Sequence, residues 1–234
     1  MSSPDSTFGG PHDVLRVATY NIHKGVQGMG PMSRLEIHNL QQAIRQLDAD
    51  VVCLQEVRKL NRQWERKFND WPRQSQADFL ADTHYQAVYV TNATTKHGEH
   101  GNALLTRGEV ARHQHEDMSD HRFEQRGLLH SEITVRGRCI HVIVVHLGLI
   151  AASRVRQVQQ LIDFVLREIP EETLDWRRPV FARQLLPWFA RVDDLPERDR
   201  ATPIVAAVKA SGQRFSGVLL ETPDTDEAKQ RSGF

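Results

Sequence analysis

Three apolar runs each close on a polar side chain that can do metal or phosphate chemistry: VATYN ends on Asn21, DVVCLQE on Glu56 and IHVIVVH on His146. An amide, a carboxylate and an imidazole at the ends of buried strands meet along one edge of a sheet, which is where α/β folds place ligand sites. Each residue also has a structural alternative. Asn21 can cap the loop after its strand, and His146 can be a hydrogen-bonded core histidine. Glu56 closes a run that reads as fully buried, and a buried carboxylate is costly unless paired or metal-bound.

The elements that must position these groups alternate along the chain. Val14 to Tyr20 is rich in β-branched and aromatic residues and runs into HKGVQGMGPM, whose glycines and proline end it, so a strand and then a loop are predicted. Ser33 and Glu36 have the spacing of a capping box. Behind them Ile37, Leu40, Ile44 and Leu47 recur at three and four residues, the stripe of an amphipathic helix. A turn at Asp48-Ala49-Asp50 leads into the second strand. Tyr85 to Thr91, Asn102 to Thr106, Leu128 to Val135 and Cys139 to His146 are further strands, the last two joined by the hairpin-length turn Arg136-Gly137-Arg138. Val158, Leu161, Ile162 and Val165 mark one face of a second helix. The stretch from Leu60 to Ala81, with Trp64, Phe68, Trp71 and Phe79, is read as a helix packing its aromatics inward, with a substrate wall as the alternative. This order suggests two sheets with helices outside them.

A length of 234 residues and the absence of a linker before about residue 170 point to one catalytic-size domain. The chain is divided into a disordered leader at 1–13, a domain at 14–170 and a divergent tail at 171–234. Basic and acidic side chains balance at 30 each, so bulk charge does not advertise nucleic acid or an anionic membrane, while a local basic surface stays open. Cys53 and Cys139 both lie in apolar strand runs and are read as small hydrophobes without zinc or redox spacing. No stretch reaches the roughly 18 apolar residues of a membrane span, and the N-terminus lacks a signal pattern. A cytoplasmic location is therefore expected.

The strings VATYNIHKGV, LDADVVCLQEVR, HGNALLTR, QRGLLHSEI and IHVIVVHLGL followed by an R-x-x-Q helix resemble the endonuclease/exonuclease/phosphatase superfamily, the DNase I-like fold, in its small bacterial form. The resemblance runs from about Val14 to Ile169, with five strings in register. It implies a four-layer αββα sandwich and metal-assisted hydrolysis of a phosphodiester or phosphomonoester, with nucleic acid, phospholipid headgroups or small phosphodiesters as candidate substrates. By resemblance Glu56 matches the carboxylate that binds the catalytic Mg²⁺, or Mn²⁺ in its place. Asn21 matches the amide that orients the metal or the nearby acidic groups. His146 matches the histidine at the reacting phosphate, and Arg126 and Asn102 match positions lining the same pocket. Arg126 can instead pair with Glu124 on the surface. His23, His97 and His100 are read as surface residues, and Arg154 and Gln157 as anchors of their helix to a neighbouring loop.

Two strings of the family are not found in their place. After the helix ending near Ile169 the family has a GDFND-type strand that positions water and phosphate, and later an SDH-type segment that supplies the general base. This chain reads IPEETLDWRRPVF instead, and its last segment carries no family signature. A deletion or frameshift is the expectation, leaving the fold incomplete at the C-terminal end and activity severely reduced. A catalytically inactive homologue that binds metal or phosphate is the alternative. Ser119-Asp120-His121 spells the missing triad, but it precedes the QRGLLHSEI strand in a polar stretch and is read as a solvated loop.

Overall fold

The computed structural model describes residues 15–28, 30–135 and 137–169, with the backbone of 206–209. The first half is β1 (Val17–Asn21), β2 (Val26–Gln27), β3 (Arg34–Leu35), α1 (Ile37–Leu47), β4 (Val51–Asn61), α2 (Arg62–Lys67), α3 (Gln76–Ala81) and β5 (Gln86–Thr95). The second half is β6 (Gly98–Thr106), β7 (Glu109–Asp117), β8 (Gly127–Val135), β9 (Arg138–His146), α4 (Ala151–Glu168) and β10 (Ala206–Lys209). One sheet has the strand order β1-β4-β6-β5, the other β10-β9-β8-β7, and β2 with β3 forms a small ribbon.

Alternation along the strands builds the layers, because successive side chains point to opposite faces. On β4, Val52 and Leu54 pack with Ile37 and Ile44 of α1 and Leu80 of α3, covering the outer face of the first sheet. The intervening Val51 and Cys53 face inward with Leu104, Leu129, Ile133, Val142 and Val144, which form the dry layer between the sheets. On β9, Ile143 and Val145 turn the other way and meet Val158, Leu161, Phe164 and Val165 of α4. Helix, sheet, sheet, helix is the result, as the sequence pattern implies.

Several local expectations are corrected. The capping box does not form: α1 starts at Ile37, its Glu36 cap makes no side-chain capping bond, and Ser33 donates to the Gly30 carbonyl at 2.5 Å. The stretch from Glu109 to Asp117 is a strand, β7, whose largely exposed polar side chains conceal any two-residue alternation. Cys53 is buried, and burial pushes its thiol up to about 12; Cys139, by contrast, is exposed beside Glu132 rather than a core hydrophobe. Among the aromatics of 60–81, Phe79 packs against the core below α1, whereas Trp64, Phe68 and Trp71 stack on one another. The proposed leader at 1–13 lies outside the described residues, as does the tail at 171–234 apart from the backbone of β10.

Candidate functional site

A break in strand pairing aims the carboxylate. The register of β4 against β6 shifts between Leu54 and Val57, and within that bulge Glu56 takes a φ of 55°. Non-glycine residues in this region cost about 1–3 kcal/mol and persist where the surroundings over-determine them. Two more such residues, His23 (φ 47°) and Lys24 (φ 63°), follow β1 in a 3₁₀ turn beside the same carboxylate. Three strained residues therefore converge on one group.

Asn21, Glu56 and His146 do come together. The Asn21 Nδ2 donates to Glu56 Oε1 at 2.8 Å, and His146 Nδ1 lies 3.9 Å from the same oxygen. Lys24 Nζ and His23 Nδ1 stand 3.8 and 3.9 Å from Oε2. Burial pushes the Glu56 carboxyl up, but the Asn21 hydrogen bond together with Lys24, His146 and His23 outweighs it and holds the group below its ordinary value. Asn21 uses both ends of its amide, since its Oδ1 accepts from the His23 backbone N–H at 2.8 Å. In this geometry the amide orients the carboxylate and the turn behind it.

Asn102 has no exposed surface. Its Nδ2 donates to the Gly127 carbonyl at 2.9 Å and the Val144 carbonyl at 3.1 Å, tying the first sheet to the second just below the site. Its Oδ1, the Oδ1 of Asn92 and the Nε of Arg126 are buried without a hydrogen-bond partner among the described residues. Arg126 Nη2 donates to Glu124 at 2.8 Å, and that carboxylate also accepts from the Leu149 N–H. The pairing with Glu124 thus exists, while the charge of Arg126 still reaches His100.

Two residues not selected from the sequence belong here. His100 is pulled down to about 4 by burial and then by Lys24 and Arg58, against the pull of Glu56, so it is uncharged at neutral pH. Arg58 pairs in register with His100, and its Nε and Nη1 are buried without hydrogen-bond partners among the described residues. The signal was available: His100 and Arg58 stand two residues from Asn102 and Glu56 on strands of period two. His23 also reaches the carboxylate, whereas His97 sits exposed at the β5–β6 hairpin.

The remaining motifs have structural roles. Asp120 accepts from Ser153 Oγ at 2.6 Å and from Arg156, clamping its loop to α4, and those bonds hold its carboxyl well below the usual range. Gln157 accepts from the Gly148 N–H at 2.8 Å and donates to the Met118 carbonyl at 3.1 Å, while Arg154 donates to Leu149 O at 2.6 Å. Both anchor α4 to the loops beside it.

The donor set fits a hard divalent cation. Mg²⁺ is commonly held by one or two carboxylates, waters and substrate phosphate, and Glu56 offers a partly exposed, ionised carboxylate fixed from behind. No group of three or more His, Cys, Asp and Glu able to hold a metal occurs among the described residues, so Glu56 would be the main protein ligand.

Two facing sheets flanked by helices, with this amide, carboxylate and imidazole at the strand ends, define a DNase I-like protein. The chain belongs to the Endonuclease/Exonuclease/phosphatase family, whose model matches residues 18–203. It is 36% identical over 175 residues to the uncharacterized protein YbhP of Escherichia coli strain K12, covering 70% of this chain and 68% of that one. The solved structure of an endonuclease/exonuclease/phosphatase family protein from Leptotrichia buccalis C-1013-b superposes with a TM-score of 0.52 at 16% identity, covering 75% of this chain and 74% of the other. A stretch of 63 residues is 94% identical to the ribosomal RNA large subunit methyltransferase M of Thauera aminoaromatica, 27% of this chain. The chain spans only 17% of that methyltransferase. Among the described residues no helix is long and apolar enough to cross a membrane.

Proposed function

We propose that this chain is a metal-dependent hydrolase of phosphoester bonds, of nuclease or phosphodiesterase type, working with reduced activity. The observation that supports it is the junction of Asn21, Glu56 and His146 within hydrogen-bond or ion-pair reach, contributed by strands of two different sheets. Glu56, oriented by Asn21, would hold Mg²⁺ or Mn²⁺, which when bound supplies charge neutralisation at the phosphate and its leaving oxygen. The chain's own residues do the rest. Lys24, Arg58 and Arg126 bring positive charge to an anionic substrate, and His146 is placed to donate to a phosphate oxygen. Water activation is the weak step, because no GDFND- or SDH-type string follows Ile169. Removing members of a catalytic unit costs orders of magnitude.

Hydrolysis of bis-p-nitrophenyl phosphate with added Mg²⁺ tests this reading. Slow turnover abolished by EDTA and by Glu56→Ala supports it. Turnover unaffected by both sinks it.

A second reading is a catalytically inactive homologue that binds metal or phosphate. It is favoured by the lack of a GDFND- or SDH-type string after Ile169 in the sequence. It predicts no turnover with any metal, alongside Mn²⁺ binding that Glu56→Ala removes.

A further inference from the structure

Trp64, Phe68 and Trp71 form a stack of three half-buried rings that core packing does not explain. Trp64 and Phe68 lie 5.4 Å apart and 8° from parallel, and Phe68 and Trp71 lie 6.5 Å apart and 13° from parallel. None of the three joins a hydrophobic core cluster, although Phe79 of the same segment does. Cations flank the stack: Lys67 Nζ lies 5.0 Å from the Trp64 ring and 5.3 Å from Phe68, and the Arg58 guanidinium lies 5.7 Å from Trp64. Arg58 is the link to the reaction centre. It stands two residues from Glu56 on β4, interacts with that carboxylate, and keeps two buried nitrogens without hydrogen-bond partners among the described residues.

Charge points the same way. Residues 58–73 carry six basic side chains (Arg58, Lys59, Arg62, Arg66, Lys67, Arg73) against two acidic ones (Glu65, Asp70), in a chain whose net charge is zero. A positively charged track interleaved with stacked aromatic rings is how proteins hold single-stranded nucleic acid, with bases stacking on rings and phosphates following the cations. Rings that enter a lipid surface present their faces and edges to the acyl chains. These are half-buried, stacked on one another and held by cations.

We infer that Trp64, Phe68 and Trp71, with Arg58 and Lys67, form a base-stacking subsite that delivers single-stranded nucleic acid to the Glu56 centre. This rests on the phosphoester-hydrolase reading and narrows its substrate class. The planar face of a base meets the stack, and a neighbouring phosphate meets the exposed Lys67 ammonium beside it.

Binding of a fluorescein-labelled twelve-nucleotide oligothymidylate to the full chain, in EDTA and at low salt, tests this without any turnover. An abasic oligomer with the same number of phosphates is the comparison. The expected result is tighter binding of the oligothymidylate than of the abasic strand. Trp64→Leu should weaken the oligothymidylate about tenfold and leave the abasic strand unchanged, and Trp64→Phe should restore most of the loss. Equal affinity for the two strands, no effect of Trp64→Leu, or binding to phosphatidylglycerol vesicles in place of the oligonucleotide would each overturn the inference. Because hydrolysis is not read, absence of catalysis leaves this outcome intact, and Phe68→Leu serves as the second variant if Trp64→Leu fails to fold.

Discussion

Asn21 and Glu56, 35 residues apart in sequence, are joined by one 2.8 Å hydrogen bond between the neighbouring strands β1 and β4. A bond to a charged acceptor contributes about 1.5–3 kcal/mol, and here it also sets which protonation state the carboxylate favours. Asn21→Ala is expected to raise the Glu56 carboxyl toward its ordinary value, because the hydrogen bond that lowers it is gone while burial remains. Carbon-13 NMR of labelled glutamate through an acid titration reads the change. An unmoved Glu56 titration would show that the amide does not set the charge.

The strained backbone of Glu56 makes a stability prediction opposite in sign to its functional one. At a φ of 55° an alanine keeps the strain and a glycine releases it. Glu56→Gly should therefore be more stable than Glu56→Ala by about 1 kcal/mol, and both should lose metal-dependent turnover. Thermal unfolding of the two variants side by side decides it, and an alanine variant that melts higher would contradict the strain argument.

Gly101 lies where two strands approach too closely for a side chain. A Cβ there would stand 1.8 Å from the Val90 carbonyl oxygen and 2.9 Å from the Asn92 nitrogen, both backbone atoms that cannot swing aside. Gly101→Ala is expected to cost more than about 3 kcal/mol and to reduce soluble yield, since it pries β5 from β6. At Gly137 nothing stands within 4 Å, and only its φ of +75° opposes a side chain. Gly137→Ala should cost about 1 kcal/mol. Urea unfolding of both variants checks the contrast.

One share of the acid sensitivity should come from under α4, beside that of His100. His130 has no exposed surface, its Nε2 lies 3.0 Å from His141 Nδ1, its Nδ1 lies 3.3 Å from the Gln114 amide, and Phe164 meets it edge-on. Burial, then His141 and Arg112, pull it down to about 4, against the opposing pull of Glu132 and Glu168. The unfolded chain holds this proton from about pH 6.5 downward, whereas the folded chain takes it up only near pH 4. Between those limits the unfolded state binds more protons, so stability falls as pH is lowered through the window. His130→Leu should flatten that slope in urea midpoints measured from pH 7 to pH 4.5; an unchanged slope would assign the sensitivity elsewhere.

The fold was legible where periodicity was clean. Val51 to Leu54 and Val142 to Val145 are apolar on both faces because each strand lies between a helix layer and the opposite sheet. The ends of these two runs located Glu56 and His146, and the end of β1 located Asn21. β7 was hidden because a largely solvated strand of Arg, His, Gln and Glu has no apolar rhythm. The bulge at Glu56 was equally invisible, since it arises from the pairing of β4 with β6 and not from any residue preference. His100 and Arg58 were overlooked for a different reason. Their two-residue spacing from Asn102 and Glu56 was the signal, but their burial and charge environment come from neighbours on other strands.

β10 lies parallel to β9, with position 209 level with His146. That alignment rests on main-chain amides and carbonyls, which are the same for nearly every amino acid. The strand bearing the imidazole is thus braced on its far side by pairing that asks little of side-chain identity. Side chains along positions 206–209 can therefore vary without unseating His146, provided the main-chain ladder is kept.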